Sequence, residues 1–470
     1  MCLSVQVNHF PSILSVLSLR TLLPFRMPNS SRSMAVVASL LAVAGTTMGV
    51  PHGNSSVSRP GNSSIPPVAY TCGPKSANIT CIHRYMSVLP GSYIKDADPS
   101  TGFGDTVVSD DPSWKAHVPN ADFVVFDKKR GLELLGSAPK ISRGYIPLLN
   151  VIHEAPIYVP ELNKLFTTQD GPPGNLSNII IDLNYDPPKV ESFVTDPPVY
   201  QPTGGILHDG MIYWAVQGNN QSLPNGLKQR PGVVRVDPKT LKAEWLVNNY
   251  YGFYFGGLND LNVDDVGDVW FTDSDYAYGL GLSPVSNQNQ LATYRFRPST
   301  GEITIADTSL QHPNGIAFSR DGKTLYITDT GLETVGPNAS TNGGTYDYPI
   351  SIYFTSTNAR NIYAFDVSRT PTGTPILSGK RNIFQALEGS PDGLKVAANG
   401  YLIAGTGLSN GADILDSYGA LIARIQTDHP VENIAWTGKD LKTLHLVGIG
   451  GITKVEFDLQ GPDPNNFYVK

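Results

Sequence analysis

From about residue 150 to the C-terminus the chain repeats one pattern, and that repetition restricts its fold more than any other feature. Each copy has a polar or glycine-containing lead-in, a short apolar strand, a turn and a second apolar strand. The copies read HEAPIYVPELNKLFTTQDG, TGGILHDGMIYWAVQG, LNDLNVDDVGDVWFTDS, PNGIAFSRDGKTLYITDTG, PDGLKVAANGYLIAGTG and VENIAWTGKDLKTLHLVGIGG, six in all. Further strand–turn–strand stretches lie between them, among them GVVRVDPKTLKAEWLV, ATYRFRPSTGEITIAD and GALIARIQT. Each unit therefore holds about four strands, at intervals of roughly 40–80 residues, which is the signature of propeller blades. A β-sandwich needs about seven strands in one Greek-key unit, and six near-equivalent copies cannot be laid out that way. The expected fold is all-β, a six-bladed β-propeller over residues 115–461 with a tail at 462–470. ADFVVFDKKRGLELLG ahead of the first copy and GITKVEFDLQG after the last are expected to complete one blade from both chain ends. Composition agrees: 46 Gly and 37 Pro against only 16% charged residues favour many turns over long helices.

In a propeller the first strand of each blade lines the central channel, so the residues just before those strands converge on the axis. In order they are Glu154, Thr203, Asn259 with Asp260, Asn314, Asp392 and Asn433. Oxygen donors dominate. Calcium takes 6–8 oxygen ligands, carboxamides included, whereas zinc is usually held by Cys and His at fixed spacings, and no HExxH or CxxC occurs. The metal reading is a divalent cation held by oxygens from these lead-in positions, with calcium first and Mg²⁺, Mn²⁺ or Zn²⁺ as alternatives. The competing reading is that Asn314-Gly315 and Asp392-Gly393 are simply turns. Each copy already has its own turn downstream, SRDGK or AANG, so the lead-in dipeptide is surplus to the hairpin. His153 and His312 flank two of these positions and read as packing or hydrogen-bonding neighbours, with His153 also a candidate substrate contact. YYGFYFGG, residues 250–257, could wall a pocket, through Tyr254, or fill the core.

The N-terminus reads as export machinery. MAVVASLLAVAG from Met34 is a short apolar segment ending in Ala42-Val43-Ala44, with Arg26 and Arg32 upstream, so residues 1–44 are expected to be a leader and signal peptide. The apolar run is too short to span a bilayer, which takes about 20 residues. Residues 45–114 are expected to form an N-terminal arm, low in complexity at PHGNSSVSRPGNSSIPP, with the folded body starting near 115. N-x-S/T sequons at Asn54, Asn62, Asn78, Asn175, Asn220 and Asn338, with Cys72 and Cys81 as one candidate disulfide pair, fit a secreted glycoprotein. A net charge of −7 without a basic aromatic patch argues against nucleic acid as a partner.

LNDLNVDDVGDVWFTD, HPNGIAFSRDGKTLYITDT and SPDGLKVAANGYLIAG together resemble the SMP-30/gluconolactonase/regucalcin family. HEAPIYVP and NNYYGFYFGGLNDL are most similar to its secreted fungal lactonohydrolases. The resemblance implies a six-bladed propeller with one axial divalent cation. It implies Glu154, Asn314 and Asp392 as ligands, Asn259 as a ligand or substrate contact, and Asp260 beside it. It also implies Asp392 as general base, with Glu154 second. The implied reaction is hydrolysis of a small or sugar-type lactone to its hydroxy acid, with no serine nucleophile; no G-x-S-x-G elbow is present. A non-catalytic extracellular propeller binding a protein or glycan is the alternative, as is an enzyme of the same fold with other chemistry.

Overall fold

In the computed structural model of the chain, residues 67–83, 94–95, 102–105, 107–108, 112–171, 174–223, 226, 228–283, 285–335, 352–354 and 357–469 are described. The expected signal peptide, the sequons at Asn54, Asn62 and Asn338 and most of the 331–360 loop lie outside them. The period-two alternation of the repeats appears as antiparallel sheets whose strands follow one another in sequence. Sheet I runs Ile157–Val159, Lys164–Thr167, Asn178–Asp182, Lys189–Phe193. Sheet II runs Pro202–His208, Met211–Val216, Gly232–Val236, Ala243–Val247. Sheet III runs Leu258–Val263, Val269–Asp273, Ala292–Arg297, Glu302–Asp307, and sheet IV runs Pro313–Phe318, Thr324–Asp329, Asn361–Arg369, Pro375–Gln385. Sheet V starts Leu394–Val396, Leu402–Gly405, Ala412–Leu415, Leu421–Ile425 and continues outward through Phe123–Val125, Ile79–Ile82 and Ala69–Thr71. Sheet VI runs Asn433–Thr437, Thr443–Gly448, Gly451–Glu456, Lys140–Pro147. The first strands touch in cyclic order, and the last touches the first, which makes the arrangement a β-propeller.

Three sequence expectations are corrected here. Six matched four-stranded blades are expected; five four-stranded sheets and one seven-stranded sheet are found. The strand that joins the C-terminal end is Lys140–Pro147, antiparallel to Gly451–Glu456, and not ADFVVF. Phe123–Val125 pairs instead with Leu421–Ile425. Burial explains the exchange. Lys140–Pro147 is mostly exposed, as an outermost strand can be, whereas Phe123, Val124 and Val125 are fully buried and need cover on both faces. Part of that cover comes from upstream of residue 115, where Ala69, Ile82, Phe103 and Trp114 cluster with Val124, so ordered structure begins earlier than expected. Ile79–Ile82 pairs parallel with Phe123–Val125, Ala69–Thr71 pairs antiparallel with Ile79–Ile82, and Cys72 and Cys81 between them are disulfide-bonded, their Cα atoms 5.8 Å apart.

The core is a set of slabs between neighbouring sheets. Phe166 and Ile180 of sheet I meet Trp214 and Val234 of sheet II, while Tyr213 and Ala215, on the other face of sheet II, meet Phe271 and Tyr294 of sheet III. The same exchange continues around the ring to Ala435 and Val447 of sheet VI, which meet Leu165 and Ile181 of sheet I.

At the axis the sheets come too close for side chains. A Cβ on Gly315 would stand 2.3 Å from the Asp392 carbonyl oxygen, and one on Gly393 2.3 Å from Asn433 Cγ. Neither glycine has a positive φ. The PNG and PDG glycines therefore serve close packing between sheets and not a left-handed turn. Threonines at the ends of second strands clasp the next sheet. Thr168 Oγ1 donates to the Pro202 carbonyl (2.7 Å), Thr272 Oγ1 to Asn314 (2.6 Å) and Thr328 Oγ1 to Asp392 (2.9 Å). The lead-in residues are thereby fixed from behind. At the far ends of the inner strands the expected C-terminal tail lines a separate cavity of about 690 Å³, held there by Tyr468 Oη donating to the Val263 carbonyl at 2.6 Å.

Candidate active site

The inner strands start at one mouth of the channel and the second strands return to it. Residues entering the former and leaving the latter consequently share a cavity of about 80 Å³. Glu154, Thr203, Asn259, Asn314 and Asp392 line it as expected from the lead-ins. Sequence reasoning missed Asp170, Gln217 and Glu333, which follow second strands, Tyr276 on the short helix Tyr276–Gly279, and Glu432, one residue before the expected Asn433. The signal was available: in an antiparallel hairpin, strand exits face the same end as strand entries.

Three expected contacts do not line the cavity. His153 is fully buried, with Nδ1 3.0 Å from the Thr168 carbonyl oxygen and Nε2 2.9 Å from that of Leu149. It braces the backbone at Glu154, and burial lowers its pKa. Tyr254 lies under the Arg230 guanidinium, whose carbon is 3.8 Å from the ring centroid. Asp260 does not line the cavity, as expected for the strand neighbour of Asn259, since successive strand residues face opposite ways. Its Oδ1 accepts from the Leu261 amide (2.8 Å) and its Oδ2 lies 3.4 Å from Lys395 Nζ. Asn433 reaches the site only through Nδ2, which donates to Glu154 Oε2 at 3.1 Å.

Five carboxyl groups thus face one small space: Glu154, Asp170, Glu333, Asp392 and Glu432. Among the described residues no lysine, arginine or histidine lines it. Burial, then the nearby charges of Glu432 and Asp170, pushes the Glu154 pKa well above the carboxylate range. Burial does the same to Asp170. For Asp392 burial is joined by Glu154 and Glu333, against a hydrogen bond from Asn314; for Glu432 it is joined by Asp392 and Glu333. Burial raises Glu333 to about 7, opposed by the Ser390 hydroxyl, which donates to Glu333 Oε1. Gly407, at φ 58°, leaves room between two of these groups. A Cβ there would be 3.4 Å from both Asp392 Oδ2 and Glu333 Oε1.

The expected metal centre is not ready-made. Among the described residues no group of three or more His, Cys, Asp or Glu side chains is gathered as closely as an ion requires. Without compensating charge, five carboxylates repel one another, and they stand spread around the wall. The donor chemistry nonetheless fits a hard cation. Both carboxyl oxygens of Asp170, both of Glu432, Asn314 Oδ1 and Asp392 Oδ1 are buried without a hydrogen-bond partner among the described residues. Buried polar atoms are almost always satisfied, and all six of these are oxygens of the kind that bind calcium.

Comparison with known proteins follows the same line. The family model described as the SMP-30/Gluconolactonase/LRE-like region matches residues 216–337 and 350–449. Lactonohydrolase oryL of Aspergillus oryzae is 37% identical over 389 residues, covering 82% of this chain and 86% of that protein. The chain belongs to the SMP-30/gluconolactonase/LRE-like family. Lactonohydrolase oryH of the same fungus is 34% identical over 460 residues, covering 86% of this family member and 95% of the fungal one. A gluconolactonase structure from Xanthomonas campestris matches 69% of this chain and 91% of its own, with a TM-score of 0.52 at 21% identity, and bears on the fold alone.

Proposed function

We propose that this family member is a lactone hydrolase of the secretory route whose axial cavity binds one divalent cation, calcium first, with the seven-stranded sheet serving as its sixth blade. The observation that carries the reading is the set of unpartnered buried oxygens on Asp170, Asn314, Asp392 and Glu432, in a chain related to lactonohydrolases. Glu154, Asn314 and Asp392 would hold the ion, with Asn259 beside it. When bound, such an ion polarises a carbonyl and stabilises the oxyanion that forms from it. Asp392 Oδ1 is the base. It is unpartnered, whereas Glu154 Oε2 already accepts from Asn433 Nδ2 and from the Ala155 amide. It takes a proton from the water that attacks the lactone carbonyl carbon. The carbonyl–ring oxygen bond breaks, and the proton returns to the leaving ring oxygen, which becomes the hydroxyl of the product acid. Asn314 orients Asp392 through their hydrogen bond, and Asn433 orients Glu154.

Export is supported by the apolar leader, by the Cys72–Cys81 disulfide and by the exposure of the sequon residues Asn78, Asn175 and Asn220. A loss of mass on enzymatic deglycosylation of the natively produced protein is expected; an unchanged mass with an intact leader would contradict the route. The activity is tested by pH-stat titration of a lactone panel with calcium and with chelator. Acid release that chelation abolishes and calcium restores is expected.

A further inference from the structure

The walls of the axial cavity divide by burial. Glu154, Asp170, Asn259, Asn314 and Glu432 are each more than nine-tenths buried and form its floor. Ile152, Leu280 and Leu408, like Asp392, are only partly buried and supply the aliphatic part of its lining. They arrive from three separate places: the lead-in to sheet I, the end of the helix Tyr276–Gly279, and the loop leaving the second strand of sheet V. None of them belongs to the apolar slabs between sheets. Core packing therefore does not account for three aliphatic side chains above a ring of oxygens.

Their backbones are fixed. The Ile152 carbonyl accepts from the Asp170 amide at 2.8 Å, the Leu280 amide donates to the Tyr276 carbonyl at 2.8 Å, and the Gly407 amide next to Leu408 donates to the Val431 carbonyl at 3.0 Å. The aliphatic rim is consequently preformed. Tyr278, two residues before Leu280, adds an exposed ring on the same helix.

Resting on the lactone-hydrolase reading, we infer that the substrate is a lactone carrying an aliphatic substituent and not a polyhydroxylated sugar lactone. The ring carbonyl reaches the oxygen floor, and the substituent lies against Ile152, Leu280 and Leu408. A polyol in the same pose would set hydroxyl groups against these side chains, and hydroxyls that lose water without gaining a partner are unfavourable. Burying an alkyl group there instead removes apolar surface from water.

The test is a homologous series at saturating calcium: γ-butyrolactone, its γ-alkyl derivatives from ethyl to hexyl, and D-glucono-1,5-lactone, followed by pH-stat. Over the first few methylenes kcat/KM is expected to rise about fourfold per CH₂, the factor that transfer of one methylene from water supplies, and gluconolactone is expected to fall below the ethyl compound. In the double variant Leu280→Asn/Leu408→Asn, shown to be folded by circular dichroism, that slope is expected to drop by half or more. A flat series in the wild type, or gluconolactone turned over better than the hexyl compound, overturns the inference while leaving the hydrolase reading standing. A folded double variant that keeps the full slope overturns the assignment to these side chains. Hydrolysis of no member of the panel overturns the lactone-hydrolase reading itself, and this one with it.

Discussion

Carboxylates are buried in this molecule in two ways. In the turn before the second strand of sheet III, Asp268 is 1% exposed and accepts from Arg295 Nη1 at 2.6 Å and from Arg297 Nε and Nη2 at 2.8 and 2.7 Å. Burial opposes its charge, but the two arginines outweigh it and hold the pKa below the ordinary range. In sheet V, the fully buried Arg424 is likewise bonded to Glu388 and to Asp413 Oδ1, the latter at 3.1 Å. The axial carboxyls have no arginine, and their pKa values move the opposite way. At these two places the chain supplies its own cation to the buried charge. Around the axial cavity it supplies no cationic side chain among the described residues, so the compensating charge has to come from outside or be a proton.

Breaking the self-sufficient kind should cost stability without touching chemistry directly. Arg424→Met strips Glu388 and Asp413 of their arginine, and about 3–5 kcal/mol of stability is expected to be lost in denaturant unfolding. Asp392→Asn should do the reverse: a circular dichroism spectrum and midpoint close to wild type, with kcat lower by roughly 10²-fold or more, the scale of a lost general base. Asn314→Ala is expected to weaken calcium binding first, with turnover partly restored by added Ca²⁺.

His445 sharpens the comparison from a third side, since it is buried without a charged partner and does not line the cavity. Burial, then the positive charge of Lys454, pushes its pKa down to about 3 from 6.5. Between those values the unfolded chain binds a proton that the folded one refuses, so stability falls as pH falls through this window, by up to about 1.4 kcal/mol per unit. His445→Leu is expected to flatten that slope in unfolding curves taken from pH 6.5 to 4.5; an unchanged slope would show that other groups set it. The smallest effect concerns the clasps. Thr272→Val should lower stability by about 1 kcal/mol, one net hydrogen bond, while leaving calcium affinity within a factor of a few.

Much of this was legible in the sequence because the repeats combine two periods: alternation within strands, and one polar lead-in per hairpin. Glu154, Asn259, Asn314 and Asp392 follow directly from the lead-in position. Asp170 and Glu333 do not, since they follow return strands that reach the same mouth, and Glu432 stands one residue before the lead-in Asn433. His153 does not line the cavity for a related reason. Adjacency in sequence to a site residue says little when neighbouring side chains face opposite ways. The outer strands Ala69–Thr71 and Ile79–Ile82 were hidden by their shortness and by the low-complexity stretch before them, and their pairing with Phe123–Val125 depends on a burial pattern that only the assembled sheet creates.

The central claim is that the unpartnered axial oxygens await a cation. Calcium titrated calorimetrically into chelator-treated, folded protein tests it most directly, with the melting temperature recorded before and after. The account predicts saturation at about one ion per chain, a higher melting temperature in the bound form, and weakened uptake in Asp392→Asn. Folded protein that takes up no divalent ion, melts at the same temperature with and without calcium and hydrolyses lactones in the presence of chelator would contradict it.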